Sequence, residues 1–345
     1  MSLKSLNAAI KNLKFLENNL KNKKINQIYK NFDKSLYHLN KNENFIVAVS
    51  GGPDSLALAF LAKIYSIKRE IKSKFFIINH NLRAESSSEA KTVKKVLKHH
   101  FIESKIINWR GQKPKKNIQS LARNKRYELL FTECDKLNIK TVLLGHHQDD
   151  VTENFFIRLL RGSGLKGLIS LDKKSIVNNK LLLRPLINHK KEDLIFLSKK
   201  VFNFYVNDPS NKDNKYQRIR IRKLIKELQL DGLDKDKINN TIKNLRYSNK
   251  VVEFHVRQNL KENSFFLKKK KKLFLNKDFF EQSYEIVFRS LSESIRLIGG
   301  NHYSPRGKKL NNVIENINNN KFFSLTLGGC ILKKVSQTVI ISKER

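Results

Sequence analysis

Two short stretches hold the residue types that could do chemistry. The first is Ser50-Gly51-Gly52-Pro53-Asp54-Ser55, directly after the apolar run Ile46–Val49. Its glycines let a backbone approach an anion closely, and a helix opening near Pro53 would aim free N–H groups and partial positive charge at it. Proline suits that first turn, where no N–H is needed. A carboxylate at Asp54 beside a phosphate requires a bridging cation, so the stretch implies Mg²⁺ with Asp54 as its ligand. The spacing G-x-x-x-x-G-K-[ST] of the common P-loop is absent. A bare Gly-Gly turn would say little; six such residues between a strand and a helix say much more.

The second stretch is Gly145-His146-His147-Gln148-Asp149-Asp150-Val151-Thr152-Glu153-Asn154. Asp149 and Asp150 stand where a helix would begin, and Asp150, Glu153 and Asn154 share a helix face at i, i+3 and i+4. His146 sits at the end of the preceding strand. The group could bind a metal, hold an ammonium or move protons; taken alone, an acidic helix start beside a surface histidine pair reads equally well. Two such groups at strand ends of one sheet favour a site. Arg161–Gly167, with three glycines and two cations, is either a phosphate-facing loop or a plain connector. Arg123 and Arg126 are helical neighbours that either reach a phosphate or coat the surface.

The elements that must position these residues alternate. Strand-like runs at 45–49, 75–79, 105–108, 141–144 and 181–183 interleave with helical spacing over 55–68, 87–100, 119–137, 150–160 and 190–203. Ser86 with Glu89 reads as a capping box. The pattern predicts an α/β fold: a doubly wound, mostly parallel five-strand sheet. Ligands of such sheets lie beyond the carboxyl ends of the strands. The segments of interest are therefore Ser50–Ser55, His80–Arg83, Trp109–Ile118, Gly145–Asp150 and Arg184–Pro185. Ahead of the sheet, residues 1–40 are lysine-rich, with Leu6, Ile10, Leu13 and Leu20 at helical spacing. After it come a turn at Asp208-Pro209-Ser210-Asn211 and a basic helix with Arg218, Arg220 and Arg222. Beyond Asp231-Gly232 the pattern changes. Helices are expected over 238–260, 278–298 and 306–318, apolar pieces flank Lys268–Lys272, and the tail 322–342 alternates around Gly328-Gly329. The expected organisation is a basic helical extension (1–40), an α/β domain (41–230) and a smaller α+β domain (231–345).

A length of 345 residues leaves room for a sizeable core and about two domains. The net charge of +39 suggests a polyanionic partner, nucleic acid first, although an AT-rich coding sequence also loads a chain with lysine. Cys134 and Cys330 form no C-x-x-C pair, so neither a zinc site nor a disulfide framework is expected, and a reducing cytoplasm fits. No stretch has the length of a signal peptide core or of the ~18 apolar residues of a membrane span, so no membrane partner is expected.

Taken together, these residues resemble one family. Ser50–Ser55 is similar to the pyrophosphate loop of ATP pyrophosphatases. The further stretches I-N-H-N-L-R (78–83), L-A-R-N-K-R-Y (121–127), G-H-H-Q-D-D-V-T-E-N (145–154), R-L-L-R-G-S-G-L-K-G-L (158–168), L-L-R-P-L (182–186) and N-D-P-S-N (207–211) resemble tRNA(Ile)-lysidine synthase. The strong resemblance covers about 45–225. The part holding I-R-L-I-G-G-N-H-Y-S-P-R (295–306) and T-L-G-G-C (326–330) is similar to the short tRNA-binding domain of some members.

The resemblance implies a carbon–nitrogen ligase that joins L-lysine to C2 of the wobble cytidine of the CAU-anticodon isoleucine tRNA. ATP would adenylate the cytosine O2 and release pyrophosphate, and the lysine amine would then expel AMP. It implies ATP contacts at Ser50, Gly51, Gly52, Pro53, Asp54 and Ser55, with Mg²⁺ on Asp54. Catalytic roles fall to Asp54, His146, Asp150 and Arg126, with Arg123 as an alternative phosphate contact. Lysine would meet Asp150 and Glu153, and tRNA would meet Arg218, Arg220 and Arg222. A homodimer is compatible with all of this. Two positions depart from the family pattern. Asn79 stands where Asp is usual, and Ile219 stands where Asn is usual. Among rivals, a 2-thiolating tRNA enzyme would need sulfur-carrying or cluster-binding cysteines. An amidotransferase would need a glutaminase domain. A non-catalytic tRNA-binding protein would not need both clusters intact.

Overall fold

In the computed structural model the described residues are 14–111, 118–207, 215, 217–300, 305–319 and 324–344, with 118–120 described by backbone alone. The expectations at Leu6, Ile10 and Leu13, at 112–117, at the 208–211 turn and at 301–304 lie outside them. The chain forms two compact units, Met1–Asn240 and Thr241–Arg345.

The first unit contains α1 (Lys23–Asn40), β1 (Phe45–Val49), α2 (Pro53–Lys68), β2 (Ser73–Asn79), α3 (Ser86–His99), β3 (Ser104–Asn108), α4 (Ile118–Lys136), β4 (Thr141–Leu143) and α5 (Gln148–Leu159). It continues with α6 (Leu165–Leu168), β5 (Lys174–Val177), β6 (Lys180–Leu183), α7 (Lys191–Phe202) and α8 (Gln217–Leu230). The helix α9 (Lys235–Glu262) spans the division between the units.

Phe45, Ile46 and Val47 are fully buried because β1 lies inside the sheet, with neighbours on both edges. α2 is apolar all round: Leu56, Leu58, Phe60, Leu61 and Ile64 are all fully buried. Burying each such side chain contributes roughly 1.5–3 kcal/mol, so packing holds this helix more than propensity does. α1 adds Ile25, Ile28, Phe32 and Leu36 from one face to the same core. Its Asn22 side chain caps the N–H groups of Lys24 and Ile25.

The strand order is β3-β2-β1-β4-β6-β5, and β1 runs parallel to both β2 and β4. The chain winds outward from β1 to β3 and then restarts at β4 on the other side. The loops after β1 and β4 therefore diverge and leave a crevice between them, the usual ligand site of such sheets. The sheet has six strands where the sequence pattern gave five. The extra strand, β5, is an antiparallel edge strand joined to β6 through Asn178 and Asn179, at φ 49° and 59°. Two positive-φ asparagines make the tight hairpin turn, and a short edge strand with alternate exposure leaves little apolar signal. The expected capping box also differs: α3 begins at Ser86 itself. Ser86 Oγ accepts from the Arg83 N–H, while Glu89 pairs with the Arg83 guanidinium.

The second unit is α+β. Its sheet has the order β7 (Ser264–Leu267), β8 (Lys272–Leu275), β11 (Thr338–Lys343), β10 (Cys330–Val335) and β9 (Ser324–Leu327), antiparallel throughout. α10 (Tyr284–Gly299) and α11 (Gly307–Asn318) supply Val287, Leu291, Ile295, Leu310 and Ile314 to a core shared with Leu273, Leu275, Leu332 and Ile341. Gly300, at φ 68°, closes α10.

Candidate active site

The loop between β1 and α2 is tied by one hydroxyl. Ser55 Oγ accepts from the N–H groups of Ser50 and Gly51, each at 3.1 Å, and donates to the Gly52 carbonyl at 2.9 Å. Gly51 sits at φ +87°, and a Cβ there would lie 2.6 Å from Val93 Cγ2. The N–H groups of Ser50 and Gly51 are thus used inside the loop. Those of Gly52, Asp54 and Ser55 have no partner among the described residues. They form the anion-binding start of α2, where no side chain caps the helix. The loop after β4 packs on the same turn: a Cβ on Gly145 would lie 3.2 Å from the Asp54 carbonyl oxygen and 3.3 Å from the Ser55 nitrogen.

His147 joins the two loops. Its Nε2 lies 3.6 Å from Asp54 Oδ2 and 3.6 Å from Asp150 Oδ2, and its side chain is 2% exposed. Its own N–H donates to Asp150 Oδ2 at 2.9 Å, which fixes Asp150 at the start of α5. Burial would raise the Asp150 carboxyl, but His147, Arg218, His146 and that N–H together hold it below the ordinary carboxylate range. Asp54 moves the other way. Burial and the nearby Asp150 raise it, only partly offset by His147, Lys191 and Arg222. Asp54 Oδ1 is buried without a partner among the described residues.

Arg218 and Arg222 sit against the acidic face of α5. Arg218 bridges Asp150 and Glu153, and Arg222 Nε donates to Glu153 Oε1 at 2.5 Å. Glu153 is 4% exposed and Asp150 7%. The three arginines expected to act together are split, because positions i and i+4 share a helix face and i+2 lies nearly opposite. Arg220 is exposed and donates to the Lys215 carbonyl at 3.1 Å. Asn154 also leaves the acidic face and bonds Ser170. Beside Glu153 a cavity of about 530 Å³ opens between α5, α7 and α8, with Asp149, Glu192, Lys191, Arg222 and Lys226 on its walls.

His146 lies near Asp150, Arg184, Arg123 and Arg218; burial first, then the arginines, push its pKa down to about 3. Its Nδ1 is buried and unpartnered among the described residues. At the end of β2, His80 accepts from Arg126 Nε at 3.4 Å and packs edge-on against Trp109. Burial and Arg126 lower His80 to about 4. Asn79 is buried, donates to Ser87 and Asn108 and accepts from the Asn81 N–H, so its amide braces the strand end. Ile219 is buried and lines the cavity.

The histidine nearest Asp54 is His147, not the His146 expected from the sequence to act there. Arg184, in the strand-end segment Arg184–Pro185 of interest from the sequence, is 4% exposed, donates to the Asp172 carbonyl and Ser175, and so pins the β5 segment. Among the described residues no group of three His, Cys, Asp or Glu is arranged to hold a metal. An Mg²⁺ that keeps waters and phosphate oxygens needs only one or two carboxylates, and the orphaned Asp54 Oδ1 fits that role.

Residues 18–228 match the family model described as a PP-loop domain. The chain is 34% identical over 319 residues to the tRNA(Ile)-lysidine synthase of Wolbachia sp. subsp. Brugia malayi (strain TRS), covering 88% of this chain and 71% of that protein. It is 33% identical over 315 residues to the tRNA(Ile)-lysidine synthase of Orientia tsutsugamushi (strain Boryong), covering 88% and 70%. Among solved structures, the U34-tRNA thiolase NcsA from Methanococcus maripaludis with its [4Fe-4S] cluster superposes with a TM-score of 0.54 at 20% identity, over 64% of this chain and 79% of that one. That likeness establishes the fold alone. The two cysteines of this chain, Cys134 and Cys330, are both free and buried. The PP-loop match and the extended identity agree with the geometry at the β1/β4 crevice, and the chain belongs to the tRNA(Ile)-lysidine synthase family of PP-loop ligases.

Proposed function

We propose that the protein joins L-lysine to C2 of the wobble cytidine of a CAU-anticodon isoleucine tRNA, at the expense of ATP, in the cytoplasm. The observation that carries this is the junction of the two loops at the switch point, where free N–H groups start α2 beside Asp54, His147, Asp150 and Glu153. The cytosine O2 attacks the α-phosphorus, and the bond to the bridging β-oxygen breaks with release of pyrophosphate. The N–H groups of Gly52, Asp54 and Ser55 hold the departing charge. Mg²⁺ bound on Asp54 would neutralise phosphate charge. Arg126, which donates to His80 Nε2, and Arg123, close enough to His146 to act on it, would contact the α-phosphate.

The lysine ε-nitrogen then attacks C2. The C2–O2 bond breaks, and AMP leaves with that oxygen. A free lysine amine has a pKa near ~10.4, so it arrives as ammonium and must shed a proton. Asp150, held ionised, and Glu153 grip it, and lysine reaches them through the cavity of about 530 Å³ beside Glu153. Walls of both charges suit a zwitterionic amino acid. His146, whose Nδ1 has no partner among the described residues, joins Asp150 and Glu153 as the groups that would hold the ammonium or take its proton. Arg218 and Arg222 yield or share the two carboxylates as lysine enters, while Arg220 and the Thr241–Arg345 unit contact tRNA. Lysidine would switch the tRNA from methionine to isoleucine identity. Pyrophosphate release with tRNA and ATP, before lysine is added, tests the first step; release that ignores tRNA would contradict it.

A further inference from the structure

Among the described residues of the second unit, helices cover one sheet face, and the side chains on the other are exposed or half-buried. Leu273, Leu275, Leu332 and Ile341 face the helices, while the alternate residues face away. On that other face the strand registers set Phe265 opposite Phe274, Phe274 opposite Ile340, and Ile340 opposite Lys333, one row across four strands. The two phenyl rings lie 6.5 Å apart, and Phe265 is 65% exposed. The connection between those strands is Lys268–Lys271, a single 3₁₀ turn closed by Lys271 in the left-handed region, and Lys272 opens β8. Lys268 to Lys271 and Lys333 are exposed, and none of them is ion-paired among the described residues.

Two aromatic rings on an antiparallel sheet, bordered by unpaired lysines, match what unpaired nucleotides need. Every base offers a face for stacking, and the phosphates need cations within reach of that stack. A second copy of this chain is a poor occupant. β7 is an edge strand, and the lysine run that follows it would bring like charges together in an edge-to-edge pairing.

We infer that this face, centred on Phe265 and Phe274 and flanked by Lys268–Lys272 and Lys333, is a stacking platform for unpaired nucleotides of the substrate tRNA. The inference rests on the tRNA partner proposed above. It goes beyond that proposal in placing the contact on this sheet face and in making it sequence-tolerant stacking.

The test uses the full chain and an unmodified CAU-anticodon isoleucine tRNA, with affinity read by filter retention over a salt series. Phe265→Ala is expected to weaken binding roughly tenfold. Phe265→Trp should keep it. The double variant Lys268→Ala/Lys270→Ala should flatten the salt slope by about 1.4. In the same preparations the KM values for ATP and lysine should stay unchanged. Unaltered tRNA affinity in Phe265→Ala would overturn the inference. So would loss of self-association in sedimentation without any change in RNA binding, which would assign the face to a second copy. Wild-type lysine incorporation is read separately, so a failure of the proposed activity leaves the binding comparison standing on its own.

Discussion

His147 Nε2 stands 3.6 Å from Asp54 Oδ2, so the loop after β1 and the loop after β4 meet through one buried imidazole. Asp150 Oδ2 is equally close to that ring, and the ring separates two carboxylates that would otherwise repel. His147→Ala should therefore lower turnover on the order of 10²-fold, with a smaller change in the KM for lysine. Steady-state kinetics at saturating tRNA check it. A His147→Ala enzyme with normal turnover would assign the role to His146 alone.

Gly51→Ala should destabilise the fold. The added Cβ would lie 2.6 Å from Val93 Cγ2 and 2.9 Å from Val206 Cγ2, at a backbone φ of +87°. A cost of about 1–3 kcal/mol follows from overpacking plus a left-handed non-glycine residue. Thermal unfolding reads it directly, and an unchanged Tm would show that the loop can relax.

The organisation around the crevice was readable because its cues are local. The apolar run 45–49, the all-round apolar helix after Pro53 and the strand–helix alternation each lie within a few residues, and the observed elements follow them closely. What escaped depends on distance or on small angular differences. Arg218 reads as a surface cation until the fold brings it to Glu153 across 65 positions. His146 and His147 are adjacent in the loop after β4, but only the second is the residue that caps α5, and composition does not say which one meets Asp54. β5 is a four-residue edge strand whose turn is signalled only by Asn178-Asn179.

Arg218→Ala should cost about 1–3 kcal/mol, because it leaves Asp150 without its guanidinium and Glu153 with Arg222 only. The Arg218 side chain is 38% exposed, so the larger cost of a fully buried pair does not apply. Denaturant titration measures this. A changed KM for lysine with the KM for ATP unaltered would mark the guanidinium as a competitor for the ammonium site, and Arg218→Lys should restore part of the stability.

Acid should destabilise the protein well above the pH of general carboxylate protonation. His146 and His80 are held at about 3 and about 4, against an ordinary value near 6.5. Between those limits the unfolded chain binds protons that the folded chain refuses, so stability falls as pH falls from about 6.5 toward 4. His146→Gln and His80→Gln should each make that fall shallower. A Tm profile with the same slope in both variants and the wild type would contradict the burial of neutral rings.

The most direct measurement is incorporation of labelled lysine into CAU-anticodon isoleucine tRNA in the presence of ATP, with pyrophosphate counted in parallel. Wild-type protein should incorporate one lysine per tRNA with one pyrophosphate released. A tRNA with the wobble cytidine replaced should take none, and Asp54→Ala should abolish both signals. Pyrophosphate release without labelled tRNA, or equal labelling of the cytidine-replaced tRNA, would contradict lysine transfer to that base.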